Sequence, residues 1–469
     1  MRVTQVAVRP SEASGAVQRP SLTPELLAAS GARYSRNNEG LDSILAKIDP
    51  NNLEKSVDSI FRMVDYGHQS IADMVPVAMF IDDVSMWLAY YIWTLCPTAG
   101  GQESSTRYIK IAVDGLISPE ALGIQSESVA EWRGLMEECF RAYQASLQLW
   151  EDLASANPAL MGIPRSLLED SSDSAQKKVA RMKRNYAFDR SRYYLPVAAA
   201  TNVMLIMSAR GWVSLCQHLL SHPLPECRRL GEMIRSELEI SAPRMIRHAR
   251  ATEYHQAMLA AEFQKLVRAA QSQSSVLTEP ADVEAAAIPH LTVGVPEGVT
   301  EDELARDLKY HSNRYAPVGS GLQRTTVRFG WSRIAFAEIR DLNRHRPGTK
   351  HCPQIPMGFY DAADQLPPGQ DSKKMLLKQQ STVGRKASAK ARSLLKNGDA
   401  AYACWTVLGT EYPFEHTTTA DKFIYEAELR TGLGAHYRYA KHLRDVLALW
   451  YQRFPATKGL ILEGSGEPE

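Results

Sequence analysis

The sequence predicts a helix-rich α+β protein built as two halves, with mixed or antiparallel sheets. Three observations carry that expectation. The chain has 469 residues, 44% of them hydrophobic, which suffices for two domains with cores of their own. Trp132–Ala154, Val203–Leu220 and Tyr425–Trp450 place apolar residues three and four apart, the spacing of helices that bury one face. A stretch between Gln271 and Glu301 breaks the chain with a Gln-Ser-Gln-Ser-Ser run, Pro280, Pro289 and Pro296, and Gly294 and Gly298. The halves are expected at residues 23–270 and 290–469.

Along the chain, Met1 to Leu22 reads as a loose lead-in containing Pro and Ser. Met74–Trp93 is the longest apolar stretch. It carries Pro76, Asp82 and Asp83, so it reads as a buried amphipathic helix rather than a membrane span, where charges are costly. Glu169–Lys178 and Leu366–Ser372 read as loops, the latter holding Pro367, Pro368 and Gly369. Strand candidates are shorter, Ile109–Val113 and Thr325–Phe329. A weak internal repeat of about 230 to 250 residues relates the halves, and no short solenoid repeat is visible.

Lys+Arg and Asp+Glu number 54 and 53, leaving a formal net charge of +1. No global field points to a nucleic-acid polymer or a membrane as partner. The basic runs Lys177–Arg184 and Lys373–Lys396 read as solvated helix faces. Six scattered cysteines offer no Cys-x-x-Cys pair and no zinc spacing, so neither a metal nor a disulfide framework is expected, and a reducing cytoplasm fits. The N-terminus has no signal pattern. There is no Gly-rich dinucleotide fingerprint, phosphate-binding loop or nucleophile elbow.

Four short segments could carry chemistry. Gly67–Asp73 opens the first apolar run. His68 and Ser70 stand at a helix start, where unpaired N–H groups favour anions, and Asp73 gives a capping-box-like spacing. In Gln102-Glu103-Ser104-Ser105-Thr106-Arg107-Tyr108, Glu103, Ser105 and Arg107 alternate and would share one face of an extended segment. That set suits a phosphorylated nucleotide, and equally a polar edge strand. Arg344-His345-Arg346 follows the second apolar run, Phe329–Leu342, read as a helix. Three basic groups there could be partners of a helix C-terminus or a clamp for a diphosphate. Tyr425–Thr431, then Gly434–Tyr439, supplies Arg430 and His436, otherwise a charged helix face.

Joined head to tail, the second and third segments give Arg-His-Arg, a spacer, then Gln-Glu-x-Ser-x-Arg-Tyr. That string resembles the signature of the flavin-dependent thymidylate synthases. The remaining segments resemble the family's Gly-His-x-Ser-x-x-Glu and Glu-Leu-Arg-(Ser/Thr)-x-x-x-Gly-His-x-x-Tyr-Arg. A looser copy lies at Arg192-Tyr193-Tyr194-Leu195-Pro196 and Ser208-Ala209-Arg210. The sequence departs from the family too. Leu95-Cys96-Pro97 stands in the first half where Arg-His-Arg is expected, Gly100 replaces a frequent Ser, and Pro347–Pro356 lacks Ser-x-Arg-Tyr. Each half thus keeps a different part of one site.

The resemblance implies two tandem, partly degenerate thymidylate synthase-like domains. It implies FAD as cofactor, and reductive C5-methylation of dUMP to dTMP with methylenetetrahydrofolate and NADPH as co-substrates. By the same resemblance Arg430 and Ser105 would be catalytic, and Gln102, Glu103, Ser105, Arg107 and Arg430 would bind substrate. His68, Ser70, Arg344, His345, Arg346 and His436 would bind the cofactor. Family members are homotetramers, so a homodimer of this chain would be a pseudo-tetramer. No nucleophilic cysteine is required, although Cys96 and Cys352 lie near the motifs. Methylation of another pyrimidine nucleotide or nucleoside, and a non-catalytic nucleotide-binding protein, stay open as alternatives.

Overall fold

A computed structural model describes the chain except residues 7–21, 36–39, 49–51, 53–54, 56, 59, 63–68, 108–110, 273–286, 433 and 466–469. It forms two compact units: Met1–Val129 with Ala198–Lys265, and Ala130–Val197 with Leu266–Glu469. This division differs from the cut expected between residues 270 and 290. Residues 130–197, expected in the first half, pack in the second unit.

In the first unit an antiparallel sheet runs β1 (Arg2–Val6), β2 (Pro76–Ser85), β4 (Ala200–Ser208), β3 (Gly100–Glu103). The principal helices are α1 (Met86–Leu95), α4 (Ala209–Ser221) and α5 (Pro225–Ser241). One sheet face, with Met79, Ile81, Val203 and Leu205, is buried. α4 covers it, and Trp212 Nε1 donates to Val77 O at 3.1 Å. Burying such apolar side chains is the main favourable term, roughly 1.5–3 kcal/mol each.

The second unit repeats the plan. Its sheet runs β5 (Pro289–Gly294), β6 (Thr326–Ala335), β9 (Thr410–Thr419), β7 (Thr349–His351), with β8 (Gly358–Phe359) also on β9. α6 (Phe336–Leu342) follows β6, and α8 (Ala420–Thr431) and α9 (Tyr437–Arg453) follow β9. Phe329, Trp331, Phe414, Phe423 and Trp450 fill its core. The irregularities in the central strands, between Ile81 and Val84 and between Trp331 and Ile334, fall 250 residues apart. That shared register is the structural form of the internal repeat. The excursion 130–197 supplies α2 (Val129–Ala156), which pairs with α7 (Asp371–Lys396), and α3 (Asp173–Ser191), whose Asp189 O accepts from His436. Trp132 Nε1 donates to Cys404 O at 3.0 Å, and Lys386 and Lys390 pair with Glu138 and Glu131. Residues 193–197 pair antiparallel with 406–409, through Val197 N to Thr406 O at 3.1 Å and Leu408 N to Leu195 O at 2.8 Å.

Several expectations are corrected. The apolar runs Met74–Trp93 and Phe329–Leu342 are each a strand followed by a helix. Pro76 lacks an N–H and biases its neighbour to extended backbone, and helix begins only after Ser85, whose hydroxyl accepts from Leu88 N at 3.0 Å. Val203–Leu220 likewise divides into the end of β4 and α4, because Ser208 caps at Gly211 N. The N-terminal lead-in contains β1, held because Gln5 N donates to Glu237 at 2.8 Å. Glu169 ends one helix, and residues from Asp173 belong to α3, so the loop there is short. Of the strand candidate Ile109–Val113, residues 109–110 lie outside the described residues and Val113 begins a 3-10 turn; Thr325–Phe329 belongs almost wholly to β6.

Candidate functional site

The second unit gathers buried charge around α6 and the turn after it. The helix starts where Glu338 Oε2 accepts from Ala335 N at 3.0 Å, and it ends at Leu342. Arg344, His345 and Arg346 then alternate as exposed, buried and half-buried. His345 Nε2 accepts from Arg430 Nε of α8 at 2.7 Å. Burial pushes the His345 imidazole down to about 3, with the Arg430 charge adding to the shift. The ring is therefore neutral at ordinary pH, and Nε2 is the unprotonated nitrogen that the bond to Arg430 requires. The turn is pinned from below, since His416 Nε2 lies 2.8 Å from Pro347 O while its Nδ1 lies 3.0 Å from Glu426 of α8. Gly348 has φ of 94°, and a Cβ there would stand 2.3 Å from Thr417 O, so the turn into β7 requires glycine.

Asp341 is the acid at the centre. Its Oδ2 accepts from Arg192 Nη2 at 3.1 Å, and its Oδ1 lies 3.6 Å from Arg344. Burial would raise this carboxyl, but Arg192 first, then Arg344, Arg430 and His436, hold it well below the usual carboxylate range. Arg192 reaches it from the 3-10 turn Arg192–Tyr194 that ends α3, and Tyr193 on that turn donates to Glu338 at 2.9 Å. Glu338 is fully buried. Burial pushes it up to about 7, against the lowering effect of Arg438 and Arg192. Arg438 of α9 also donates to Glu411 at 3.2 Å and lies over the Tyr360 ring. Arg192 and Tyr193 lie in a segment the sequence singled out, but Glu338, Asp341, Glu411 and Tyr360 were not among the expected site residues. The network's signal was the pair Glu338 and Asp341, three apart inside an apolar run and so on one helix face.

His436 is buried, and its Nδ1 accepts from Arg438 N at 3.2 Å as the N-cap of α9. Its Nε2, carrying the proton, donates to Asp189 O at 3.1 Å. The structure thus brings Arg344, His345, Arg346, Arg430 and His436 into one unit. Arg344 is exposed and Arg346 half-buried, while His345 and His436 hold neighbouring elements.

The other expected residues lie in the first unit. Gln102 and Glu103 end β3, opposite Met204 and Val203. The alternation stops there. Ser105 Oγ accepts from Arg107 N at 3.3 Å, which makes a turn, so Arg107 does not continue the strand face. Ser70 is exposed on the short helix Ser70–Asp73, whose N-cap is Gln69 without a side-chain bond. Asp73 instead pairs with Arg210 at 2.9 Å, so the capping box is absent. His68 lies outside the described residues. Continuing the offset of 250 residues places Thr94-Leu95-Cys96 opposite Arg344-His345-Arg346, one position before the expected Leu95-Cys96-Pro97. Burial pushes the Cys96 thiol up to about 12, which argues against a nucleophile. Among the described residues no cluster of three or more His, Cys, Asp or Glu is arranged to hold a metal, and no helix is long and apolar enough to cross a membrane.

Comparison with known proteins adds the following. Residues 20–244 match the family described as thymidylate synthase complementing protein. A UPF0159 protein of Thermoplasma acidophilum is 28% identical over 232 residues, covering 46% of each chain. A UPF0159 protein of Chlamydia pneumoniae is 24% identical over 375 residues, covering 68% of each. The chain therefore spans under half the length of the first of these relatives and about two thirds of the second. A crystal structure of a UMP/dUMP methylase from Streptomyces cacaoi, bound with 5-Br dUMP, superposes over 52% of this chain and 93% of that one, at 15% identity and a TM-score of 0.30.

Proposed function

We propose, from the match of residues 20–244 to the thymidylate synthase complementing protein family and the motifs resembling the flavin-dependent thymidylate synthases, that this chain catalyses reductive C5-methylation of dUMP to dTMP. FAD is the proposed cofactor, and methylenetetrahydrofolate and NADPH are the co-substrates. The observation that carries the reading is the exposed Arg344, with the half-buried Arg346 two residues on, on a turn fixed by His345, His416 and Gly348. Two guanidiniums on a rigid turn are a donor set that fits a diphosphate, which accepts charge-assisted bonds from both. FAD supplies hydride-transfer chemistry when bound.

The protein's part is binding and polarisation. Arg344 and Arg346 would hold the cofactor diphosphate, with Ser70 and His68 as further donors. His345 and His436 would act by fixing Arg430 and the start of α9, given the bonds they make. Arg430, oriented through Nε, would stabilise negative charge developing on the pyrimidine carbonyl. Gln102, Glu103, Ser105 and Arg107 would grip the nucleotide. A homodimer and a cytoplasmic location complete the proposal, the former open to light scattering. Methylation of a different pyrimidine nucleotide is the second reading, favoured by Gly100 and by the missing Ser-x-Arg-Tyr after Arg346.

The test is a visible spectrum of freshly purified protein, followed by product analysis with dUMP, UMP and dCMP in the presence of methylenetetrahydrofolate and NADPH. Flavin absorbance and dTMP formation are expected. Methylation of UMP or dCMP instead selects the second reading, and protein that binds neither flavin nor nucleotide overturns both.

A further inference from the structure

Arg344 stands at the exposed side of its turn, and 48% of its side chain is exposed. A long cation in that setting samples many rotamers unless something holds it. A single carboxylate, three residues back, is placed to do so. Asp341 directs Oδ1 toward Arg344 at 3.6 Å and accepts from Arg192 through Oδ2 at 3.1 Å. Arg192 is nearly buried, with 7% of its side chain exposed, so one oxygen meets a buried guanidinium and the other an exposed one. Arg192 is fixed in turn, since the next residue, Tyr193, donates to Glu338 at 2.9 Å. The turn ending α3 therefore grips α6 at two positions one helical turn apart, Glu338 and Asp341.

We infer that Asp341 is a positioning residue: anchored by Arg192, it holds Arg344 extended toward the place where an anionic diphosphate binds. The inference rests on the flavin reading only for the identity of that anion. It gives residues 130–197 a role in the site, because the anchor comes from that excursion of the chain. Two effects of Asp341 oppose one another. Its negative charge repels an anion, so if charge alone decided, removing it would tighten binding. If orientation decides, removing it weakens binding, because the ligand must then order a free arginine.

The experiment uses the full chain and two readouts. The first is FAD affinity, by quenching of flavin fluorescence, for wild type, Asp341→Asn and Asp341→Glu. The expected result is about tenfold weaker binding for Asp341→Asn, the scale of one charge-assisted bond, with partial recovery in Asp341→Glu. The second needs no flavin: the rate at which phenylglyoxal modifies Arg344, mapped by mass spectrometry. That rate should rise several-fold in Asp341→Asn and in Arg192→Lys, while Arg453, remote in sequence on α9, keeps its rate. Matching far-ultraviolet circular dichroism and melting profiles across the variants guard against misfolding. An unchanged Arg344 rate, or tighter FAD binding by Asp341→Asn, overturns the inference. If wild type binds no FAD yet the Arg344 rate still rises, the positioning role stands and the flavin reading falls.

Discussion

At the residue scale, three buried ionisable groups set opposite pH dependences. Glu226 accepts from Ser85 N and Oγ at 2.7 and 2.8 Å, and burial pushes it up to about 7 despite those bonds. Glu338, also buried, is pushed up to about 7. Both folded values lie above the ordinary carboxylate value, so the stability they contribute is complete below it and lost as pH rises through about 7. His345 runs the other way. Its folded value, about 3, lies below the ordinary imidazole value of 6.5, so its contribution is present above 6.5 and lost as pH falls toward 3. Thermal melts across pH should therefore show a stability maximum between these limbs. Glu226→Gln should flatten the alkaline limb and His345→Gln the acidic one, because each keeps a hydrogen-bonding atom and removes the titration. A single-sided profile in wild type would contradict this. Separately, Arg346→Ala should weaken FAD by about 1.5–3 kcal/mol, the loss of a charge-assisted contact, with the melting profile unchanged. Isothermal titration measures it.

At the element scale, the two strand-to-helix junctions solve one problem differently. Each buries the start of a helix, whose free N–H groups must find acceptors. At β2–α1 the N-cap Ser85 accepts from Leu88 N, while Glu226 of α5 satisfies Ser85 itself. At β6–α6 the N-cap is Ala335, and Glu338 turns back to its N–H. Ser85→Ala should cost about 1–2 kcal/mol in urea unfolding, since it removes a cap and leaves a Glu226 oxygen without its partner. A cost within error of zero would show that the cap does not hold the junction. These junctions were hard to read in the sequence. Met79–Trp93 is apolar almost throughout, and such a run fits a buried strand and a buried helix equally well. The caps that divide it act through Glu226, 141 residues from Ser85.

At the scale of the whole molecule, the chain order and the packing order differ. The first unit is interrupted by residues 130–197, which complete the second. Trp132, Arg192, Tyr193 and the 193–197 segment all make their bonds with residues beyond 330. A fragment of residues 1–270 should therefore leave α2 and α3 without their partners, and a fragment of residues 290–469 should lack the anchor of α6. Neither should give a cooperative urea transition alone, whereas co-expressed fragments should recover one. Two independently cooperative fragments would show that the excursion is not part of the second unit's core.

The sequence by itself carried the family resemblance and the repeat. Arg344-His345-Arg346, Arg430 with His436, and Gln102–Arg107 can be read as motifs because the order of side chains along the chain is a local fact, and the family match of residues 20–244 spans the last of them alone. The helix-rich α+β class followed from periodicity in the same way. Only the tertiary structure decided which residues those motifs meet. That His345 is neutral and holds Arg430, that Asp341 joins Arg192 to Arg344, and that residues 130–197 leave their own half are long-range outcomes. The physical reason is that burial and charge pairing act between groups adjacent in space, and no periodicity along the chain encodes which distant carboxylate will lie beside which guanidinium.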